Sequence, residues 1–224
     1  MAMLSNLDLI RRVPLFAQLT PGQAESLADA VGKKRFKRGD YIVERGQTSN
    51  ALFIILSGRA RVMMTDSKGR EVILAGMRTG DHIGEMSLID GMPHSATVRA
   101  EVVTDVLVLG REDFARCIAD NSAIAQAVMY VLVHRLRNAT TKIGSLALVG
   151  VYGRVANVLL EMAVADEEGN LLIPQKVSRQ DLAKMVGASR EMVSRVMKDF
   201  EEQSFISTLD NGFVKVFERR QLVR

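Results

Sequence analysis

The chain has 224 residues, with 30 lysines and arginines against 26 aspartates and glutamates, and 47% of it is hydrophobic. That is the composition of a globular protein of one large or two modest domains, and it excludes a disordered or collagen-like chain. Cys117 is the single cysteine, so an intrachain disulfide and a four-cysteine iron–sulfur cluster are both excluded, and a reducing compartment is expected.

The opening stretch, "MAMLSNLDLIRRVPLF", has no apolar run leading to a small-residue cleavage site. No segment reaches the roughly 20 apolar residues of a membrane helix. A cytoplasmic protein without a membrane partner is the expectation. The formal charge of +4 permits a polyanionic partner without requiring one, so the distribution of charge has to decide.

In chain order, Pro21 to Val31 reads as a helix. From about Lys33 to Leu109, apolar runs such as "ALFIILSGRARVMM" and "SATVRAEVVTDVLVLG" alternate with Gly39, Gly46, Gly58, Gly69 and Gly80. Short strands at that spacing predict an antiparallel barrel or jelly roll. Between Arg111 and Leu148 strand signals vanish and no proline occurs. Val128, Leu132, Leu136, Ala139, Ile143 and Leu146 step by 4, 4, 3, 4 and 3, which predicts a long helix pairing with a second copy of itself. Gly150 and Gly153 in "LVGVYG" suggest a hinge, and "RVANVLLEMAVA" then has helical period. The expected class is α+β: a β jelly roll over 1–110, a dimerisation helix and hinge over 111–149, and a third domain over 150–224.

That third domain carries the clearest signal. Ser178 caps a helix with Asp181 at its third position, Gly187 supplies a turn, and Ser189 caps a second helix. In "GASREMVSRVMKD" and the residue after it, Val193, Val196, Met197 and Phe200 form one apolar stripe, which leaves Arg190, Glu191, Ser194, Arg195 and Lys198 on the other face. Ala183 is small where the two helices approach. The hairpin "FISTLDNGFVKVF", turning at Asp210-Asn211-Gly212, adds a wing. A winged helix-turn-helix binding double-stranded DNA follows. Arginine can donate twice to guanine and glutamate can accept from cytosine, so Arg190, Glu191 and Arg195 are the candidate base readers. Ser178, Arg179, Ser189, Ser194 and Lys198 are the candidate phosphate contacts. A Glu191–Arg195 pair at i, i+4 is expected to hold both side chains ready.

"VSRQDLAKMVGASREMVSRVMKDFEEQSFI" resembles the DNA-binding helices of the cAMP receptor protein/FNR family of bacterial transcription regulators, and the domain order is similar over nearly the whole chain. The resemblance implies a cyclic-nucleotide-binding jelly roll, two TGTGA-like half-sites read by a homodimer, and contact with RNA polymerase on the nucleoid. "GDHIGEMSLIDGMPHSATVRA" resembles that family's phosphate-binding cassette. It implies that Gly84, Glu85 and Met86 lie at the nucleotide, with Glu85 accepting the ribose 2′-OH and Ser95 donating to phosphate. Where the family has arginine, this chain has His94, which is mostly neutral at pH 7 and offers one N–H rather than a bidentate fork. Arg135 matches a family position that reaches the pocket, and Ala139-Thr140 replaces a Thr-Ser pair. Three readings of the cassette stand: cyclic AMP or another cyclic mononucleotide, cyclic di-GMP, or a structural cassette with no effector.

A metal enzyme built on His82, Glu85 and His94 is the competing class, set against only three histidines in the chain and no known ligand spacing. Cys117 is expected to pack in the core, the methionines to fill helices and core, and "DEEG", Asp166 to Gly169, to form a solvated loop near the surface that related regulators offer to RNA polymerase.

Overall fold

The computed structural model describes residues 5–17, 19–166 and 170–217. Two helices open the chain, α1 (Asn6–Ile10) and α2 (Pro21–Ala30). Both begin with a capping box, in which Ser5 accepts from the Asp8 N–H and Thr20 from the Gln23 N–H. Strands β1 (Gly32–Phe36), β2 (Tyr41–Val43), β3 (Ala51–Ser57), β4 (Arg59–Thr65), β5 (Glu71–Arg78) and β6 (His82–Ile83) follow. The short helix α3 (Glu85–Asp90) then leads to β7 (Thr97–Ala100) and β8 (Thr104–Gly110). All pairings are antiparallel, in two four-stranded sheets ordered β1-β8-β3-β6 and β2-β7-β4-β5. This is the β-sheet domain that the glycine-punctuated runs predict.

The continuous apolar run "LFII" in β3 has a direct reason, because both of its faces are covered. Leu52 and Ile54 pack with Ile10, Leu27, Leu107 and Phe114 on the helical side. Phe53 and Ile55 pack with Phe36, Ile42, Met77 and Val98 between the sheets. A strand covered on both faces loses the polar–apolar alternation.

The helical stretch after the sheets is two helices, α4 (Arg111–Asp120) and α5 (Ser122–Leu148), where one long helix is expected. Asn121 is extended, with φ −145° and ψ 101°, and its side-chain oxygen accepts from the Ala123 N–H at 3.0 Å. An Asn that caps the next helix ends the previous one. The expected pairing seam is corrected only at its start: Val128 is buried in the core and Leu132 packs against it, whereas Leu136, Ala139, Ile143 and Leu146 are exposed, as are Met129 and Val133. Cys117 packs, partly buried, against the same core, as expected.

After α5 come α6 (Val151–Met162), β9 (Val164–Ala165), β10 (Leu171–Ile173), α7 (Arg179–Val186), α8 (Arg190–Glu202), β11 (Ile206–Thr208) and β12 (Val214–Val216). α6 starts earlier than its periodicity suggests, at Val151. The small sheet has the order β11-β12-β10-β9. Its core joins Val155, Leu159, Ile173, Leu182, Val193, Val196, Met197, Ile206 and Val214. By internal contacts the chain divides into two compact units, 1–136 and 137–224. No helix among the described residues is long and apolar enough to cross a membrane. Of the "DEEG" stretch, Glu167, Glu168 and Gly169 lie outside the described residues.

Candidate functional site

In the first unit, β6 pairs with β3 through Ile54↔His82 and Phe53↔Ile83 and delivers the chain to Gly84. Gly84 has φ +97°, and a Cβ there would sit 2.8 Å from the Ala51 carbonyl oxygen, so neither the backbone nor the space admits another residue. Glu85 opens α3 with its side chain only 2% exposed. Its Oε1 accepts from Arg135 of α5, and a second Arg135 N–H donates to the His82 carbonyl at 2.6 Å. Glu85 Oε2 and His82 Nε2 are both buried and have no hydrogen-bond partner. Burial pushes the Glu85 carboxyl up from its ordinary value, and Arg135 pulls it back. Burial, with Arg135 nearby, lowers His82 to about 4.

His94 is 7% exposed, and both of its ring nitrogens are used. Nδ1 lies 3.0 Å from Ser87 Oγ and Nε2 lies 2.8 Å from Ser49 Oγ. Burial lowers its pKa from the usual histidine value. Of the other expected cassette residues, Met86 and Ser95 are exposed. Thr140 is exposed too, and belongs to the second unit.

Three cassette residues escaped the sequence reading. Ser49 and Ser87 hold the imidazole. Arg111 donates at 2.9 Å to both the Ser87 and Leu88 carbonyls, closing the C-terminal half of α3. Hydroxyls and a helix-start arginine at unrelated positions carry no spacing signal. A clue was available only in the His94 substitution, since a buried imidazole needs partners. Engagement by two hydroxyls also draws His94 away from a ligand set with His82 and Glu85. Among the described residues, no group of three or more His, Cys, Asp or Glu could hold a metal ion.

In the second unit, Ser178 accepts from the Asp181 N–H at 2.9 Å and donates to the Asp181 carboxylate at 2.8 Å. Gly187 closes α7 at φ +65°, a conformation that favours glycine. The Ser189 hydroxyl then accepts from the Met192 N–H at 3.2 Å to start α8. Val193, Val196 and Met197 are fully buried, whereas Arg190, Glu191, Ser194, Arg195 and Lys198 are exposed. Phe200 is half-buried and stacks edge-on with Tyr152 and Phe205.

The expected Glu191–Arg195 ion pair is not formed among the described residues. Glu191 instead bonds its own backbone N–H and the Ser189 hydroxyl, which hold its carboxyl below the ordinary value. Two of the expected phosphate contacts pair internally, Arg179 with Glu201 at 3.7 Å and Lys198 with Glu202 at 3.4 Å. Arg154, on α6, donates to the Val186 carbonyl that ends α7 at 2.9 Å and to the Val149 carbonyl at 2.8 Å. α8 therefore presents arginine and carboxylate side chains to solvent from a helix anchored on its opposite face. Such a surface can offer paired donors and an acceptor to base edges in a major groove.

Comparison with known proteins accounts for both units. Residues 33–121 match the cyclic nucleotide-binding domain and residues 153–224 the Crp-like helix-turn-helix domain. The cAMP-activated global transcriptional regulator Vfr of Pseudomonas aeruginosa is 33% identical over 183 residues, covering 78% of this chain and 84% of that protein. Among solved structures, the catabolite activator protein of Thermus thermophilus is 31% identical with a TM-score of 0.54, covering 93% of this chain and 96% of that one. The c-di-GMP responsive regulator CLP of Xanthomonas campestris shares the fold, with a TM-score of 0.75 at 22% identity over 89% of this chain and all (100%) of that one. A cyclic-nucleotide-binding β domain, followed by helices and a helix-turn-helix unit of Crp type, makes this chain a member of the Crp/Fnr family of transcriptional regulators, a family of DNA-binding proteins and not of enzymes.

Proposed function

We propose that the chain is a homodimer that reads TGTGA-like inverted half-sites through α8 and is switched by a cyclic nucleotide at the cassette. The observation that carries the reading is the division of α8 into a face on which Val193, Val196 and Met197 are buried and an exposed face bearing Arg190, Glu191 and Arg195. These three are assigned the base edges. Ser189, Ser194 and Lys198 are assigned to phosphates, which set register. Ser178 acts through the cap of α7, and Arg179 reaches phosphate only by leaving Glu201.

Dimerisation is assigned to α5 within the 111–149 segment. Met129, Val133, Leu136 and Ile143, with Thr140 between the last two, step by 4, 3, 4 and 3 along its exposed side, the spacing of a two-stranded seam. A two-fold dimer would set its two reading helices about one helical turn of DNA apart. The nucleotide is assigned to Gly84, Glu85, Met86, Ser95, Arg135 and Thr140, with His94 at the phosphate. Glu85 Oε2 supports this, since a buried acceptor without a partner suits a ribose hydroxyl. Cyclic AMP is the effector proposed, and cyclic di-GMP, which also carries ribose 2′-hydroxyls, is the alternative. A second reading, DNA binding without an effector, is favoured by the internal Arg135–Glu85 and Ser–His–Ser contacts, which engage Arg135 and His94 within the cassette. RNA polymerase, in the cytoplasm and on the nucleoid, is the expected partner beyond DNA.

Paired substitutions test the reading. Glu191→Ala should relax discrimination at one base pair by about 1–3 kcal/mol. Lys198→Ala should weaken all sequences alike and reduce the salt slope by about one. Equal effects of both changes on cognate and random duplexes would refute the assignment.

A further inference from the structure

The two arginines of the cassette are both engaged within it. The Arg135 guanidinium is committed to Glu85 and to the His82 carbonyl, and Arg111 to the carbonyls of Ser87 and Leu88. A cyclic phosphate entering here brings a negative charge into a site whose cations are already engaged. A buried unpaired charge is costly, so a compensating positive charge has to come from somewhere.

His94 is the group built to supply it. Its ring is buried, with Ser87 Oγ at 3.0 Å from Nδ1 and Ser49 Oγ at 2.8 Å from Nε2. A hydroxyl both donates and accepts and turns freely about its C–O bond. Around a neutral imidazole one serine accepts and the other donates. Around an imidazolium both accept. The Ser–His–Ser frame therefore satisfies either protonation state without moving a heavy atom, a property that an arginine at this position would not have.

The titratable and charged groups on the surrounding elements are few. Glu44 and Arg45 lie in the turn whose Gly46 N–H donates to the His94 carbonyl. Glu85 and Asp90 are on α3, His82 is on β6, and Arg111 and Arg135 are engaged as described. None of them forms an ion pair with His94 among the described residues, so its charge state is free to follow the ligand.

We propose that Ser49, His94 and Ser87 form an anion subsite that takes up one proton when the cyclic phosphate of a nucleotide enters, which ties effector affinity to pH. This rests on the cassette reading given above. The phosphate oxygen accepts from Nε2–H in place of the half-buried Ser49 hydroxyl, which turns its O–H to donate to the phosphate, and the imidazole gains its proton from solvent. No bond of the nucleotide is made or broken. Burial lowers the pKa of the free imidazole, so the proton is bound more readily in the complex than in the free chain. The sign follows. Affinity is highest at low pH and falls as pH rises through the range between the free and the bound pKa.

Calorimetric titration of the full chain with cyclic AMP at pH 6, 7 and 8, in buffers of different ionisation enthalpy, counts the protons. The expected result is an uptake approaching one proton per nucleotide, with Kd weakening by up to about tenfold per pH unit. His94→Arg should abolish both the uptake and the pH slope and should bind at least as tightly at pH 8. His94→Gln should also lose the slope. Binding with no proton uptake and a flat pH profile would overturn the proposal and leave the effector reading standing, as would a slope that persists in His94→Gln. Failure of cyclic AMP to bind wild-type chain at every pH would overturn this proposal and the cyclic AMP reading together, leaving cyclic di-GMP or an effector-free cassette.

Discussion

His82 is buried, with an unpartnered ring nitrogen and a pKa lowered to about 4, first by burial and then by Arg135. Above pH 6.5 the side chain is neutral whether folded or unfolded, so it makes no difference to stability. As pH falls below that value, the unfolded chain takes up a proton and the folded chain does not. Stability is therefore lost through the window from about 6.5 to about 4. His82→Phe, apolar and of similar shape, should remove that loss and stabilise the first unit by about 2 kcal/mol at pH 5 relative to wild type. Thermal unfolding at pH 5 and pH 7.5 checks it: the gain should appear at pH 5 and exceed any gain at pH 7.5. At this scale the sequence reading was uneven. Gly84 and Glu85 came from the resemblance of one contiguous stretch to a cassette, and Arg135 from a matching family position on the long helix. Ser49 and Ser87 come from separate segments and meet His94 only after folding, so no local pattern could mark them.

The elements themselves were more legible. Caps at Ser178 and Ser189, a turn at Gly187 and the stripe Val193, Val196 and Met197 are local chemistry, and each sits where periodicity and capping put it. Gly187 at φ +65° offers a direct check. A Cβ at this position meets only Leu146 at 3.5 Å, an ordinary contact, so strain in the backbone should dominate. Gly187→Val should cost the second unit about 2 kcal/mol, and Gly187→Asn less, in denaturant unfolding of the full chain. Equal losses for both would mean that crowding, and not conformation, governs the turn. α5 was read less well. A near-heptad list can be drawn along two neighbouring stripes of one helix, and the sequence does not say which stripe a β domain will cover. Burial of Val128 and packing of Leu132 assign the start of the expected stripe to the core, while its later members Leu136, Ala139, Ile143 and Leu146 are exposed, as are Met129 and Val133 beside it. Likewise α4 ends at Asn121 because a cap outcompetes one more turn, which apolar periodicity alone does not register.

For the whole molecule, the proposed dimer is tested at the exposed stripe of the 27-residue helix α5. Leu136→Glu with Ile143→Glu should convert a dimer to monomer in sedimentation equilibrium without lowering the melting temperature of the monomeric units, since both side chains are exposed. The monomer should bind a two-half-site duplex at least about a hundredfold more weakly, having lost one set of base contacts. A variant that stays dimeric would move the interface elsewhere. Legibility at this scale was highest of all, because domain order follows from long changes in periodicity that no single residue decides. The most direct measurement is competition binding of the wild-type chain to a duplex carrying inverted TGTGA repeats, with and without cyclic AMP. The account expects the repeat to be held about a thousandfold or more tighter than a scrambled duplex in at least one of those conditions. Equal affinity for the two duplexes in both would contradict it.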